Sequence, residues 1–258
     1  MPKKKEYTNE SIVKLKDEER VRLRPAVIFG SDGLEGCEHS FFEILSNSID
    51  EAREGYGNLI EITRFMDNSI EVRDHGRGVP LDYNEAEDCY NWELVYCELY
   101  AGGKYENNKG GQYEYSLGLN GLGACATQYS SEYMDVEVVR DKTKYTLHFE
   151  KGKNIGGLTK EPTRSVQTGT IQKWRPDTEV FTDISIPIEF YQDVLNKQAM
   201  VNAGLKFVLY NETADGMEMF EYYYENGIVD YLKESVGEDA MTTVETWGCE
   251  RTGRDRED

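Results

Sequence analysis

Histidine is nearly missing from this chain, with three residues in 258, and no H-E-x-x-H occurs. That argues against a zinc hydrolase of that kind. Cysteine is scarce as well. The five residues Cys37, Cys89, Cys97, Cys125 and Cys249 are odd in number and contain no C-x-x-C pair. Reduced thiols in a cytosol follow, and a disulfide framework or a structural zinc site does not. No apolar run approaches the ~18 residues that span a bilayer. Lys3, Lys4 and Lys5 open the chain, but no apolar stretch follows, so no secretory signal is expected and the location expected is cytoplasmic. Basic charge is the last shortage. Lys and Arg total 29 against 49 acids, a net charge of −20. A chain this acidic repels phosphate backbones, which excludes a DNA-binding surface spread over these residues. It still permits a nucleotide, provided magnesium and backbone N–H groups carry the interaction.

At 258 residues the chain can bury a full core, as one large domain or one domain plus a fragment. No internal repeat or low-complexity tract interrupts it. Residues 1–13 are polar and read as an extended arm. "DEERVRLRP" (17–25) predicts a short helix stopped by Pro25. Residues 38–54 predict a strong helix ending at Gly55. Residues 58–74 predict two strands joined at Asp67-Asn68. A helical pattern covers 85–100, and a glycine-, asparagine- and tyrosine-rich loop covers 102–120. "GLGACATQYSSEY" opens a further helix. A hairpin at 134–152, a strand at 168–176, a helix at 189–204 and a second hairpin at 205–224 complete the pattern. Strands arriving as hairpins with helices between them predict an α+β fold: a mostly antiparallel or mixed sheet covered by helices on one face.

Three segments could carry chemistry. On the helix at 38–54, a rotation of about 100° per residue puts Glu43, Asn47 and Asp50 on one stripe and Phe41, Leu45, Ile49 and Ala52 opposite. The polar stripe is either a solvated face or a proton-abstracting Glu beside an Asn amide oxygen that holds a magnesium. "RDHGRGVP" (73–80) is either a turn after a strand or a pocket floor. In the second case a strand-end carboxylate accepts from an exocyclic amine such as that of adenine, and glycines let a flat ring approach the backbone. "SLGLNGLGACA" (116–126) places Gly118, Gly121 and Gly123 ahead of a helix. That suits an anion or a simple linker. Lys104 lies on the same loop as a candidate phosphate cation.

The order of these segments resembles the GHKL ATPase superfamily, with its Bergerat-type ATP-binding fold. "EILSNSIDEA", "RDHGRGVP", "YAGGKY", "LGLNGLGA", "TGTIQKWRPD" and "FEYYYENGIVDYL" resemble, more narrowly, the ATPase domains of the B subunits of DNA gyrase and topoisomerase IV, from about Tyr7 to residue 235. The resemblance implies ATP and Mg²⁺ as ligands. It implies Glu43 as general base, Asn47 as magnesium ligand and Asp74 as the adenine acceptor, assisted by water and Thr170. Asp50 belongs to the same ATP-binding set. Gly76 and Gly78 would admit the ring, Arg77 and Pro80 would wall the pocket mouth, and Arg77 could pair with Glu51. Lys104 and the segment Gly118, Leu119, Asn120, Gly121, Leu122 and Gly123 would hold the phosphates, residues 100–123 forming a lid. Arg140 matches an arginine at the pocket rim. Tyr7 and Ile12 match an arm that crosses to a partner subunit.

By the same resemblance residues 1–15 are the arm, 16–236 the ATPase domain and 237–258 the start of a second domain. That second domain supplies a lysine to the γ-phosphate in the family, so the chain reads as a fragment. Leu117 and Asn120 stand where many gyrases carry Gly and His, and Ala26 where glycine is usual. The implied activity is that of an ATP-driven dimer clamp in a type II topoisomerase. Its partners would be the A subunit, a second copy of itself on ATP, and DNA through the parent protein, with no membrane. The alternatives are a nucleotide-binding module without turnover, or another GHKL ATPase.

Overall fold

The computed structural model of the chain describes residues 9–11, 14–101, 117, 121–237, 245 and 247. A 3₁₀ turn at Asn9–Ser11, within the arm expected to be extended, precedes α1 (Asp17–Leu23), α2 (Pro25–Phe29) and the long α3 (Leu34–Arg53). Strands β1 (Leu59–Arg64) and β2 (Ile70–Asp74) follow, then the short β3 (Tyr83–Asn84) and β4 (Cys89–Tyr90), and α4 (Asn91–Cys97). Next come α5 (Gly123–Tyr129), β5 (Ser131–Arg140), β6 (Thr143–Glu150), β7 (Lys153–Asn154), β8 (Thr159–Pro162) and β9 (Gly169–Pro176). The last elements are α6 (Ile188–Val201), β10 (Lys206–Thr213), β11 (Gly216–Tyr222) and α7 (Ile228–Val236).

A nine-stranded sheet runs β11-β10-β1-β2-β9-β5-β6-β7, with β8 added to β6. Every pairing is antiparallel except β1 with β10, which is parallel from Leu59↔Lys206 to Arg64↔Asn211. Side chains alternate across a strand, and here the alternation separates two surfaces. Ile60, Ile62, Ile70, Val72, Trp174, Met134, Val136 and Phe149 are buried with the helices in one core. The opposite face is charged. Glu71, Lys173, Asp135 and His148 lie in one cross-strand row. The structure is thus the α+β layer expected, with a mixed sheet. No described helix is long and apolar enough to cross a membrane.

Helix α3 lies on the sheet and against α2 and α5. Phe41, Leu45 and Ile49 are fully buried, as the periodicity requires, and Ala52 packs at the edge of the core. Its other side is no simple solvated face, because Ser46, Ser48 and Asp50 are buried too.

Two local expectations need correction. Pro25 does not merely stop a helix. It is the first residue of α2, where its missing N–H costs nothing and its fixed φ suits the helix start. The helix expected over 85–100 is shorter. Tyr83 and Tyr90 pair across the β3–β4 hairpin, and Asp88 turns there at φ +54°. Helix α4 starts only at Asn91, where the Glu93 carboxylate accepts from the Tyr90 N–H at 2.9 Å. The four residues before Cys89 hold three acids and no large apolar side chain, so nothing there could dock a helix.

Candidate nucleotide site

Asp74 ends β2, and its inward parity on the strand carries it under α3. It is 9% exposed. Its Oδ1 accepts from the N–H of Gly76 at 2.9 Å and of Thr170 at 3.2 Å. Its Oδ2 lies 3.4 Å from the Ser48 hydroxyl, which donates to it. Burial raises the Asp74 carboxyl from 3.8 to about 6, against the opposing backbone N–H groups. One carboxylate oxygen is thus fixed by backbone, and the other faces away from those two donors.

The glycines after Asp74 are needed for close approach. A Cβ on Gly76 would come within 2.3 Å of the Glu51 Cγ. Gly78 has φ +79°, and a Cβ there would meet Val138 at 2.8 Å and the Val139 carbonyl at 2.9 Å. Gly78 is held from across the sheet, because Arg140 Nη1 donates to its carbonyl at 2.8 Å. The Thr170 hydroxyl accepts from Val79 N–H at 3.1 Å, so the reach of Thr170 to Asp74 is through its backbone N–H. Arg77 is clamped by Glu51: its Nε and Nη2 each donate to a separate Glu51 oxygen at 2.8 Å, and its backbone N–H donates at 2.8 Å as well. The expected Arg77–Glu51 pair is present, in a bidentate form. Pro80 follows at the surface.

One helical turn separates Glu43 from Asn47 on the half-buried side of α3. Glu43 sits against the start of α5, where a Cβ on Gly123 would fall 2.2 Å from Glu43 Oε2. Only glycine leaves room for that carboxylate. Gly121 turns at φ +59° just before it, and Leu122 accepts the first α5 hydrogen bond from Ala126 N–H at 2.8 Å. Asp50 is buried, and its Oδ1 accepts from Leu117 N–H at 2.7 Å. In this structure that carboxylate therefore ties the loop before α5 to α3. Tyr7, Ile12, Lys104, Gly118, Leu119 and Asn120 lie outside the described residues.

The sequence reading missed three participants. His39 lies one turn before Glu43. Its Nδ1 is 3.1 Å from the Phe29 carbonyl and its Nε2 is 3.2 Å from Glu43 Oε1. Two acceptors face the two ring nitrogens, so both contacts are satisfied only by the protonated ring. The hydrogen bond to Glu43 correspondingly raises the His39 pKa. The i, i+4 spacing of His39 and Glu43 was a usable signal. Ser48 had no local signal, because its partner Asp74 comes from strand β2. Thr168 donates to the Gly76 carbonyl at 2.5 Å, a contact only the fold reveals.

No group of three or more His, Cys, Asp or Glu among the described residues could hold a metal by itself. The donor set still fits Mg²⁺, which takes one or two protein oxygens and completes its shell with phosphates and water. Asn47 offers such an oxygen beside Glu43.

No protein-family model matches the chain. Curated relatives include the DNA gyrase B subunit of Synechocystis, 36% identical over 227 residues, covering 88% of this chain and 21% of that protein. The B subunit of DNA topoisomerase 4 from Enterococcus faecalis is 36% identical over 243 residues, covering 93% of this chain and 35% of that protein. The chain thus spans well under half the length of these relatives. Among solved structures, the 43K ATPase domain of Thermus thermophilus gyrase B, in complex with an aminocoumarin, is 28% identical with a TM-score of 0.72, covering 87% of this chain and 56% of that one. Two kinds of B subunit are matched at equal identity, over nearly all of this chain and in the same fold. The chain belongs to the family of the type II topoisomerase B subunits, DNA gyrase B and topoisomerase IV B, and is homologous to their ATPase domain.

Proposed function

We propose that this chain binds ATP with Mg²⁺ and contributes its hydrolysis to a type II topoisomerase in the cytoplasm, where nucleotide closes two copies into a clamp. The observation that carries the reading is Asp74. A carboxylate is buried at a strand end with one oxygen fixed by two backbone donors. The glycines that follow it let this turn close against Glu51, Val138 and Val139, where a Cβ would clash. Burying such a group is costly unless a donor compensates it, and the exocyclic amine of adenine is such a donor. Arg77, Pro80 and Arg140 would border the mouth. Lys104 and residues 118–123 would meet the phosphates, with Asp50 anchoring the base of that loop.

Hydrolysis would be assigned to Glu43, which would take a proton from the attacking water. His39 supports this assignment: its Nε2, 3.2 Å from Glu43 Oε1, orients the carboxylate. Asn47 would hold the Mg²⁺, which would neutralise phosphate charge. The remaining work of these residues is positioning. An A subunit and DNA would be engaged through parts of the relatives that this chain does not span.

The test is calorimetry with a non-hydrolysable ATP analogue and Mg²⁺. Binding by the wild type that is lost in Asp74→Asn supports the reading. Equal affinity in both proteins overturns the adenine assignment.

A further inference from the structure

We infer that Tyr56 is a positioning residue of the nucleotide pocket, acting through Arg77; the inference rests on the nucleotide-site reading above. The Arg77 guanidinium carbon lies 3.8 Å from the centroid of the Tyr56 ring, well inside the reach of a cation–π contact. Nothing in the ATP-site motifs pointed to Tyr56, which stands in the short connection between α3 and β1.

The backbone explains why the ring arrives there. Tyr56 N–H donates to the Glu51 carbonyl at 3.2 Å, so the connection folds back on the end of α3. Gly57 follows at φ +83°, and a Cβ there would meet the His75 carbonyl at 2.8 Å. The connection thus rests directly on the turn that begins at Asp74. Glu51 holds the guanidinium edge with two hydrogen bonds of 2.8 Å, and Tyr56 covers one flat side. Edge and side together remove the rotations left to a long arginine side chain. They also join the Gly76–Pro80 wall to the helix that carries Glu43 and Asn47. A loosened Arg77 would leave that wall free to shift relative to α3, and nucleotide would dissociate faster.

Binding of a non-hydrolysable ATP analogue with Mg²⁺ tests this in four proteins: wild type, Tyr56→Leu, Arg77→Gln and the double variant. Tyr56→Leu should weaken binding about two- to fivefold, mostly in the dissociation rate, as a cation–π contact to an exposed ring implies. In the Arg77→Gln background the same change should have almost no further effect. A merely structural Tyr56 predicts the same loss in both backgrounds, and that result overturns the proposal. Ring-fluorinated phenylalanines at position 56 keep the shape and weaken the negative face of the ring. Affinity that falls with fluorination supports the contact, and affinity indifferent to it overturns the contact even where Tyr56→Leu fails to fold. Wild type that binds no nucleotide refutes the site reading itself; wild type and Tyr56→Leu that bind equally refute only the role of Tyr56.

Discussion

Asp74→Asn should separate folding from binding, and with opposite signs. The folded carboxyl titrates at about 6 where the ordinary value is 3.8. Ionising it in the fold is therefore unfavourable, by roughly 3 kcal/mol once the pH is well above 6. The sign follows from the order of the two values. Below about pH 4 both states are protonated and nothing is lost. Between 4 and 6 the unfolded state ionises first and the folded protein loses stability. Above 6 the full penalty applies. Asparagine avoids it. Its amide oxygen at the Oδ1 position can accept from both Gly76 and Thr170, and its NH₂ can donate to the Ser48 oxygen. Asp74→Asn should thus melt at or above the wild-type temperature at pH 8 and close to it at pH 4. Nucleotide binding should move the other way. A hydrogen bond to a charged acceptor, worth about 1.5–3 kcal/mol, becomes a contact between two donors. Affinity should fall at least tenfold to a hundredfold. Wild-type affinity should also weaken as pH drops through 6, because the ligand favours ionised Asp74. Thermal melts from pH 4 to 8 and calorimetry with a non-hydrolysable analogue are the assays. A variant that is markedly less stable at pH 8 refutes the burial argument. A variant that binds normally refutes the adenine contact.

Glu43→Gln should keep nucleotide affinity and lower single-turnover hydrolysis by about 10²–10⁴-fold, the usual contribution of a general base; a rate within about threefold of wild type would return Glu43 to an ordinary helix residue. His39→Gln should retain binding and shift the acidic limb of the hydrolysis–pH profile, since the charged ring that faces Glu43 is gone; an unchanged profile removes His39 from the mechanism. Gly169→Ala should destabilise the fold by more than about 2 kcal/mol. Its Cβ would stand 2.2 Å from the Asp74 carbonyl at a φ of +150°, and an unchanged denaturation midpoint contradicts that geometry. Light scattering should show one copy per particle without nucleotide and two with the ATP analogue and Mg²⁺, and a dimer that persists in the absence of nucleotide contradicts the gated clamp.

What the sequence made legible was local. The stripe on α3 was visible because the buried Phe41, Leu45 and Ile49 and the partly buried Ala52 recur at helical spacing. The hairpins at 58–74 and 134–152 were visible because Asn68 and Asp141 are turn residues, and both do adopt positive φ. Asp74 and its glycines were visible because the motif is contiguous. The misses share a different cause. The pairing of β1 with β10 joins segments far apart in the chain, and no local pattern specifies it. The Thr168 contact to Gly76 and the Arg140 contact to Gly78 likewise join segments far apart in the chain. The helix expected over 85–100 begins only at Asn91, because a charged tyrosine hairpin occupies its first part. The buried Asp50 shows the same limit. A carboxylate on a polar stripe looks solvated until the N–H of Leu117 is seen to cover it.

The parallel pairing of β1 with β10 sets a timetable for the chain as it is made. Strand β1 has β2 on one side as soon as both have emerged, but its other neighbour is encoded roughly 150 residues later, which at 5–20 residues per second is a delay of about 8–30 s. Through that interval the β1 edge that will meet β10 has no partner, and an exposed strand edge is a template for pairing with another chain. The nascent half-sheet, with Asp74 already at the end of β2, must therefore wait in a partly built state. A chaperone that shields the β1 edge during that wait should raise the soluble yield more than one that acts after release.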